Sequence, residues 1–210
     1  MSDMLSARKL AVGATIKEGI GIGTRNIGPI LVNVLLWLVT IWIPYLNVGT
    51  TIGLMAGIVS KASRGEAIPM TEIFDSKYRK YMGEFFLASG LIGVGVGIGA
   101  IFAIIPGIVI GIAWSLAILL VVDKGKNPTE AITLSNNSTY GYKARMFGIY
   151  FLVCLIFTVA QSIVFGIGSA SNNDGIIFLT SFIVILSVVF EVFVYIGLQA
   201  SIYKQLTEGI

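Results

Sequence analysis

GEFFLASGLIGVGVGIGAIFAIIPGIVIGIAWSLAILLVVDK, residues 83–124, carries no charged side chain between Glu84 and Asp123. A helix crosses the hydrocarbon core of a bilayer with about 20 apolar residues, so this stretch holds two crossings. Ile105-Pro106-Gly107 is where the chain turns between them, because proline cannot continue a helix and glycine permits a tight reversal. The predicted spans are 83–105 and 107–122, and Pro106 and Gly107 are turn residues.

Four more apolar runs flank this pair, at 27–44, 48–60, 146–170 and 176–203. The spans 48–60 and 107–122 are short and need flanking residues or a thinner bilayer to complete a crossing. The last is long, about 40 Å at 1.5 Å per residue. Composition agrees with lipid as the solvent. Apolar residues make up 56% and charged residues 12% of the 210, where a soluble domain carries roughly a quarter charged; mean hydropathy is +0.90. Residues 1–25 mix Arg8, Lys9, Lys17 and Glu18 with apolar residues and lack a compact apolar core, so no cleaved leader is expected.

Charge orients the spans. The connectors at 45–47, at Pro106 and at 171–175 hold no Lys or Arg. Arg8, Lys9, Lys17 and Arg25 precede the first span. Lys61, Arg64, Lys77, Arg79 and Lys80 lie between the second and third, Lys124, Lys126, Lys143 and Arg145 between the fourth and fifth, and Lys204 after the last. Six crossings therefore put every basic residue on one side, which the positive-inside rule makes cytoplasmic. The expected fold is an all-α polytopic bundle of about six transmembrane helices in three hairpins, multi-pass in the cytoplasmic (inner) membrane with both termini in the cytoplasm. It forms one domain.

Three similar units, about 1–65, 66–126 and 127–210, make up the chain. Ile43-Pro44 and Ile105-Pro106 mark corresponding turns, each followed five residues on by glycine, Gly49 and Gly111; Ser171-Asn172-Asn173-Asp174-Gly175 takes that place in the third unit. The basic segments between hairpins read either as solvated connectors or as helices lying in the membrane interface. In the first, Leu5, Val12, Ile16 and Ile20 share a face, with Arg8 and Lys17 reaching toward anionic headgroups. In the second, Met70, Ile73, Phe74 and Tyr81 oppose Glu72, Lys77 and Lys80. The third starts with a capping box, Asn127 before Pro128 with Glu130 three residues on, and places Ala131, Leu134, Ser135 and Ser138 on one weakly apolar face.

The run Ile105-Pro106-Gly107-Ile108-Val109, then Ser115-Leu116-Ala117, Asp123, Ala131 and Ser135, followed by Tyr142-Lys143, resembles a bacterial integral-membrane superfamily. That family occurs as small stand-alone proteins and as the membrane domain of some glycerophosphodiester phosphodiesterases. Arg64-Gly65 and Phe74 fit the same pattern one unit earlier. The resemblance covers about residues 60–160. It implies a helical membrane fold and an association with lipid, and no reaction, since the phosphodiesterase domain is absent from this sequence.

Candidate chemistry is sparse. With no histidine and a single cysteine, Cys154, the usual neutral-pH base, the commonest metal ligand and any intrachain disulfide are missing. Glu191 stands in the middle of the last span, where an ionised carboxylate costs a few kcal/mol. It either relays a proton or cation, or bonds a neighbouring helix as a neutral acid, with Asn33, Gln161 and Ser162 the available partners. Glu84 and Asp123 read as span ends, and Asp174 as part of a turn rather than a calcium site. Gly49, Gly53 and Gly57, Gly93 with Gly97, Gly95 with Gly99, and Gly107 with Gly111 recur at four-residue spacing and offer close helix packing. Pro44 marks the first turn. The alternating Gly19, Gly21 and Gly23 lack the strand and helix context of a phosphate loop.

These residues point to a non-enzymatic membrane scaffold or accessory protein without metal or cofactor. Its partners are membrane lipids and either a protein partner or further copies of itself, and the spread of its basic residues argues against nucleic acid. Contacts to headgroups or to a partner fall to Arg8, Lys9, Lys17, Arg25, Lys77, Arg79, Lys80, Lys143 and Arg145. The alternative is a small-solute, ion or lipid transporter or channel built on Glu191.

Overall fold

A computed structural model describes residues 10–209, and every regular element within them is helical. Arg8, Lys9 and Leu5 lie outside the described residues. α1 (Val12–Arg25) stops at Asn26 and α2 (Ile27–Thr40) leaves it at 72°. The break follows from Pro29, whose ring collides with the carbonyl of Arg25 in a continuous helix. After a sharp turn, α3 (Pro44–Ile52), a π-turn (Gly53–Gly57) and α4 (Ile58–Arg64) form one helical run with Pro44 at its first position. Two 3₁₀ turns (Glu72–Phe74, Ser76–Tyr81) lead into α5 (Met82–Phe102). The return is broken into α6 (Ile104–Trp114) and α7 (Ala117–Lys124). α8 (Pro128–Thr139), α9 (Lys143–Ser169) and α10 (Asp174–Thr207) complete the chain.

Among the described residues, four helical segments are long and apolar enough to cross a membrane: Ser76–Phe102, Ile104–Lys124, Lys143–Ser169 and Asp174–Thr207. A fifth follows if the bent pair α1–α2 counts as one span. A multi-pass helical membrane protein is thus what the structure describes. The expected sixth crossing does not follow from length and hydropathy, because run 44–64 carries Asn47, Thr50, Thr51, Ser60, Lys61 and Ser63. Much of that run is covered by protein, with Ile52, Ala56 and Ile58 fully buried. The turn of the second hairpin also moves. It is made by Ala103, extended at φ −169° and ψ 151°, while Pro106 and Gly107 lie inside the first turn of α6, where an N–H has no helical partner to lose.

One order of elements occurs three times: a short segment, a helix, a sharp turn and a returning helix. The first two returns end at a glycine in the left-handed region, Gly65 (φ 69°) and Gly125 (φ 63°), the conformation that closes a helix with least strain in glycine, while the third is capped by Glu208 in an extended conformation. The contacts between units are cyclic. Return run α3–α4 packs on the 3₁₀ turns of the second unit, return α6–α7 on α8 of the third, and return α10 on α1 of the first.

These junctions form a core that includes Ile58, Leu116, Leu120, Leu198 and Ile202, all fully buried. The hairpin ends are bare. Trp42, Ile101 and Phe102 are each more than four-fifths exposed, and α9 and α10 expose aliphatic and aromatic side chains through most of their length. Apolar surface on this scale needs lipid or a partner to cover it.

Candidate functional site

α1 lies almost in backbone contact with α10. A Cβ at Gly19 would stand 2.8 Å from the Cα of Leu198, and Cβ atoms at Gly23 and Gly197 would strike the Phe193 carbonyl and the Gly19 carbonyl. The face of α1 buried against the protein is therefore Thr15, Gly19 and Gly23, while Val12, Ile16 and Ile20, the residues expected to share an apolar face at the membrane interface, are half-buried or exposed. Side chains this small let α1 sink against α10. Its other face, Ala14, Lys17, Glu18, Gly21 and Arg25, then becomes one wall of a cleft.

That cleft has a volume of about 500 Å³, with Ala62 to Gly65 at the end of α4 and Lys204 of α10 as its other walls. Four cationic side chains line it. Arg64 is held by Glu66 and by Asp123, and Lys204 donates to Glu18 at 2.9 Å. Glu18 also accepts from Ser201 at 2.8 Å and Gln205 at 3.0 Å. Lys17 and Arg25 have no carboxylate partner among the described residues. The hydrogen bond to Glu66, then the charge of Asp123, raises the pKa of Arg64 above its usual value despite some burial. Reciprocally, Arg64 lowers that of Glu66. A second depression of about 370 Å³ continues past Arg64 to Asp123, Lys124 and Tyr203, whose hydroxyl donates to Asp123 at 2.8 Å. The ends of all three returning helices thus meet here.

Sequence reading missed Glu18, Arg64, Asp123 and Lys204 as one group. No local spacing links them, since the chain ends that meet are those of separate units.

A second polar cluster fixes the segment between the first two hairpins. The Glu72 side chain is 2% exposed and accepts from Lys61 at 2.6 Å, from Lys77 at 3.1 Å and from the Tyr78 hydroxyl. Burial pushes its pKa up, but these donors outweigh burial and hold it below the ordinary 4.5. Glu72 was expected on the polar face and is instead at the centre. Lys77 is committed to Glu72 and Asp75, the Arg79 stem covers Gly49, and Lys80 is exposed. Lys143 donates to Asn136 at 2.9 Å, and Arg145 lies 5.7 Å over the Tyr142 ring.

Asn33 is fully buried but is no partner of Glu191. Its amide donates to the Pro69 carbonyl at 2.9 Å and accepts from the Ile73 amide at 3.0 Å, clamping the 69–73 loop to α2. Gln161 does reach Glu191, donating at 3.2 Å, and lies 3.3 Å from Ser187. Ser162 is exposed. Among the glycines, Gly53 and Gly57 pack on Ile73 and Tyr78. Gly93 and Gly97 have nothing within 4 Å of a Cβ, while Gly95 and Gly99 make the contacts to Trp114 and Gly107.

Asp174 opens α10, capped by Asn173, which accepts from the Gly175 amide at 2.9 Å. At the α6–α7 break, Ser135 accepts from the Leu116 amide at 3.1 Å and donates to the Ala113 carbonyl at 2.7 Å. A search of family models, curated proteins and solved structures found no match to this chain.

Proposed function

We propose that this protein is a non-enzymatic membrane scaffold whose basic cleft holds the phosphate of an anionic lipid headgroup at the cytoplasmic face. The observation that carries this is the pair Lys17 and Arg25. Both line a cavity of about 500 Å³ and neither has a carboxylate partner among the described residues. Unneutralised cations at a membrane surface attract anionic lipid, each by about 1 kcal/mol. In this reading the chain crosses the inner membrane six times as three hairpins, with both termini in the cytoplasm and α1 and α8 near the headgroups. The residues that carry the superfamily resemblance, Arg64, Asp123, Ala131 and Ser135, act in it as the joints of the scaffold.

Native mass spectrometry of the purified protein tests the reading. The wild type should retain phosphatidylglycerol over phosphatidylcholine. Lys17→Gln with Arg25→Gln should cut that preference by about thirty-fold, two charges at about 1 kcal/mol each. Equal retention of both lipids by the wild type, or an unchanged preference in the double variant, refutes it. If crosslinking in native membranes instead captures one protein through position 17 or 25, the occupant is an acidic partner and not a lipid.

A second reading, transport of a small solute, ion or lipid, is favoured by Glu191. This half-buried carboxyl sits within a helix long enough to span, beside Gln161 and Ser187. Glu191→Gln should then abolish flux in proteoliposomes while the protein still folds. Flux that survives the substitution excludes the role.

A further inference from the structure

A groove of about 420 Å³ runs between α6 and α9, lined by Ile105, Ile108, Val109 and Ile112 on one side and by Lys143, Ala144 and Phe147 on the other. It is apolar along α6 and ends at a cation. The Ala113 carbonyl accepts from Thr139 at 3.3 Å, which brings the start of α9 beside the Ile112 end of the groove. From there to Ile105 the groove follows α6 for about 10 Å, at 1.5 Å per residue. Both walls belong to segments long and apolar enough to cross a membrane, so hydrocarbon, not water, is the medium against them.

The polar end is built differently from the other basic positions. Lys143 donates to a neutral amide, Asn136, at 2.9 Å, and has no carboxylate partner among the described residues. Arg145 stands two residues on over the Tyr142 ring, and Tyr140, 76% exposed, lies in the same turn. Aromatic and basic side chains in one turn at the end of a span belong at headgroup depth. An apolar channel that opens on a cation without an acidic neighbour matches one ligand: a phospholipid with an acyl chain along α6 and its anionic phosphate on Lys143.

We propose that the α6–α9 groove is a specific site for an anionic phospholipid, independent of the basic cleft at α1. The test uses the full chain in nanodiscs of phosphatidylcholine doped with a diazirine-tailed phosphatidylglycerol or the equally labelled phosphatidylcholine. Crosslinked peptides are then mapped by mass spectrometry.

The phosphatidylglycerol probe should label 105–112 and Phe147 preferentially. Lys143→Gln should reduce its yield there about five-fold, and Lys143→Arg should restore it. Ile108→Trp should block labelling by filling the groove. If that variant unfolds, the Lys143 pair still decides the matter. Label spread evenly over the exposed faces of α5, α9 and α10, equal labelling by both lipids, or indifference to Lys143→Gln each overturns the site.

The Lys17→Gln, Arg25→Gln variant should leave groove labelling unchanged. A wild type that labels the groove but shows no lipid preference sensitive to Lys17 and Arg25 therefore counts against the proposed function alone, and a wild type with that preference but no groove labelling counts against this site alone.

Discussion

Gly23 and Gly197 are where a single methyl group decides the most. A Cβ on either would meet backbone of the opposing helix, and backbone cannot rotate away as a side chain tip can. Gly197→Ala must therefore push α1 off α10, an overpacking cost of about 1–3 kcal/mol or more. Gly21, with nothing within 4 Å of a Cβ, should respond oppositely. Gly21→Ala should stabilise by about 0.5–1 kcal/mol through helix propensity. Thermal unfolding in detergent followed by circular dichroism measures both, and a Gly197→Ala protein as stable as wild type would disprove the close α1–α10 contact. The four-residue step from Thr15 to Gly19 to Gly23 was present in the sequence. It was masked by the alternating Gly19-Ile20-Gly21-Ile22-Gly23, and its partner Gly197 lies in another unit. Glu72 carries a pH signature. Its pKa is depressed below 4.5 in the folded protein, so its stabilisation is complete above that value and is lost as pH falls through the folded pKa. Glu72→Gln should lower the melting temperature at pH 7 and flatten its decline below pH 4.5. Parallel acid profiles for variant and wild type would show that the cluster carries no such charge.

At the scale of elements, the break between α6 and α7 shows how an irregular backbone is tolerated in an apolar region. A helix interrupted there leaves peptide groups without partners, which hydrocarbon cannot satisfy. The Ser135 hydroxyl takes the Leu116 amide and gives its proton to the Ala113 carbonyl. Thr139 also donates to that carbonyl at 3.3 Å, so only the amide depends wholly on Ser135. Ser135→Ala should cost about 1–3 kcal/mol and accelerate hydrogen exchange at the Leu116 amide more than at the amides of α7. Equal acceleration across α7 would mean general loosening instead. The start of α8 was legible in the sequence because Asn127 and Glu130 are three residues apart, and Asn127 does accept from the Glu130 amide at 2.9 Å. Of the expected weakly apolar face, Ala131 and Ser135 are buried in the protein together with Pro128 and Thr139, while Leu134 and Ser138 are half-buried. The segment before α5 was not legible, since its 3₁₀ turns do not follow the helical period on which the face assignment rested. Glu72 accordingly points inward.

For the whole molecule, the cyclic contacts explain why the charged residues gather as they do. Each return helix ends against a segment of the following unit, and α10 closes the cycle on α1. Arg64, Asp123 and Lys204, far apart in sequence, therefore line two adjoining cavities. The charge pattern predicts the basic connectors on one side of the membrane; the ion pairs of Arg64 with Asp123 and of Lys204 with Glu18 were not legible, because their members lie far apart in sequence. The same cycle sharpens the question of how many times the chain crosses the bilayer. Run 44–64 is largely enclosed by protein, so it can either complete a crossing inside the bundle or turn back with α2 as a re-entrant hairpin. The turn itself distinguishes the two, as Tyr45 at its tip is 70% exposed. In a Cys154→Ser background, Tyr45→Cys and Asn172→Cys should both react with a membrane-impermeant maleimide on intact cells if there are six crossings. Lys124→Cys should react only after permeabilisation. If instead Asn172→Cys reacts from outside while Tyr45→Cys reacts from neither side, the first hairpin stops within the bilayer and the six-span topology fails. Labelling of Lys124→Cys on intact cells would reverse the orientation and place the basic cleft outside, away from the leaflet that the proposed function requires.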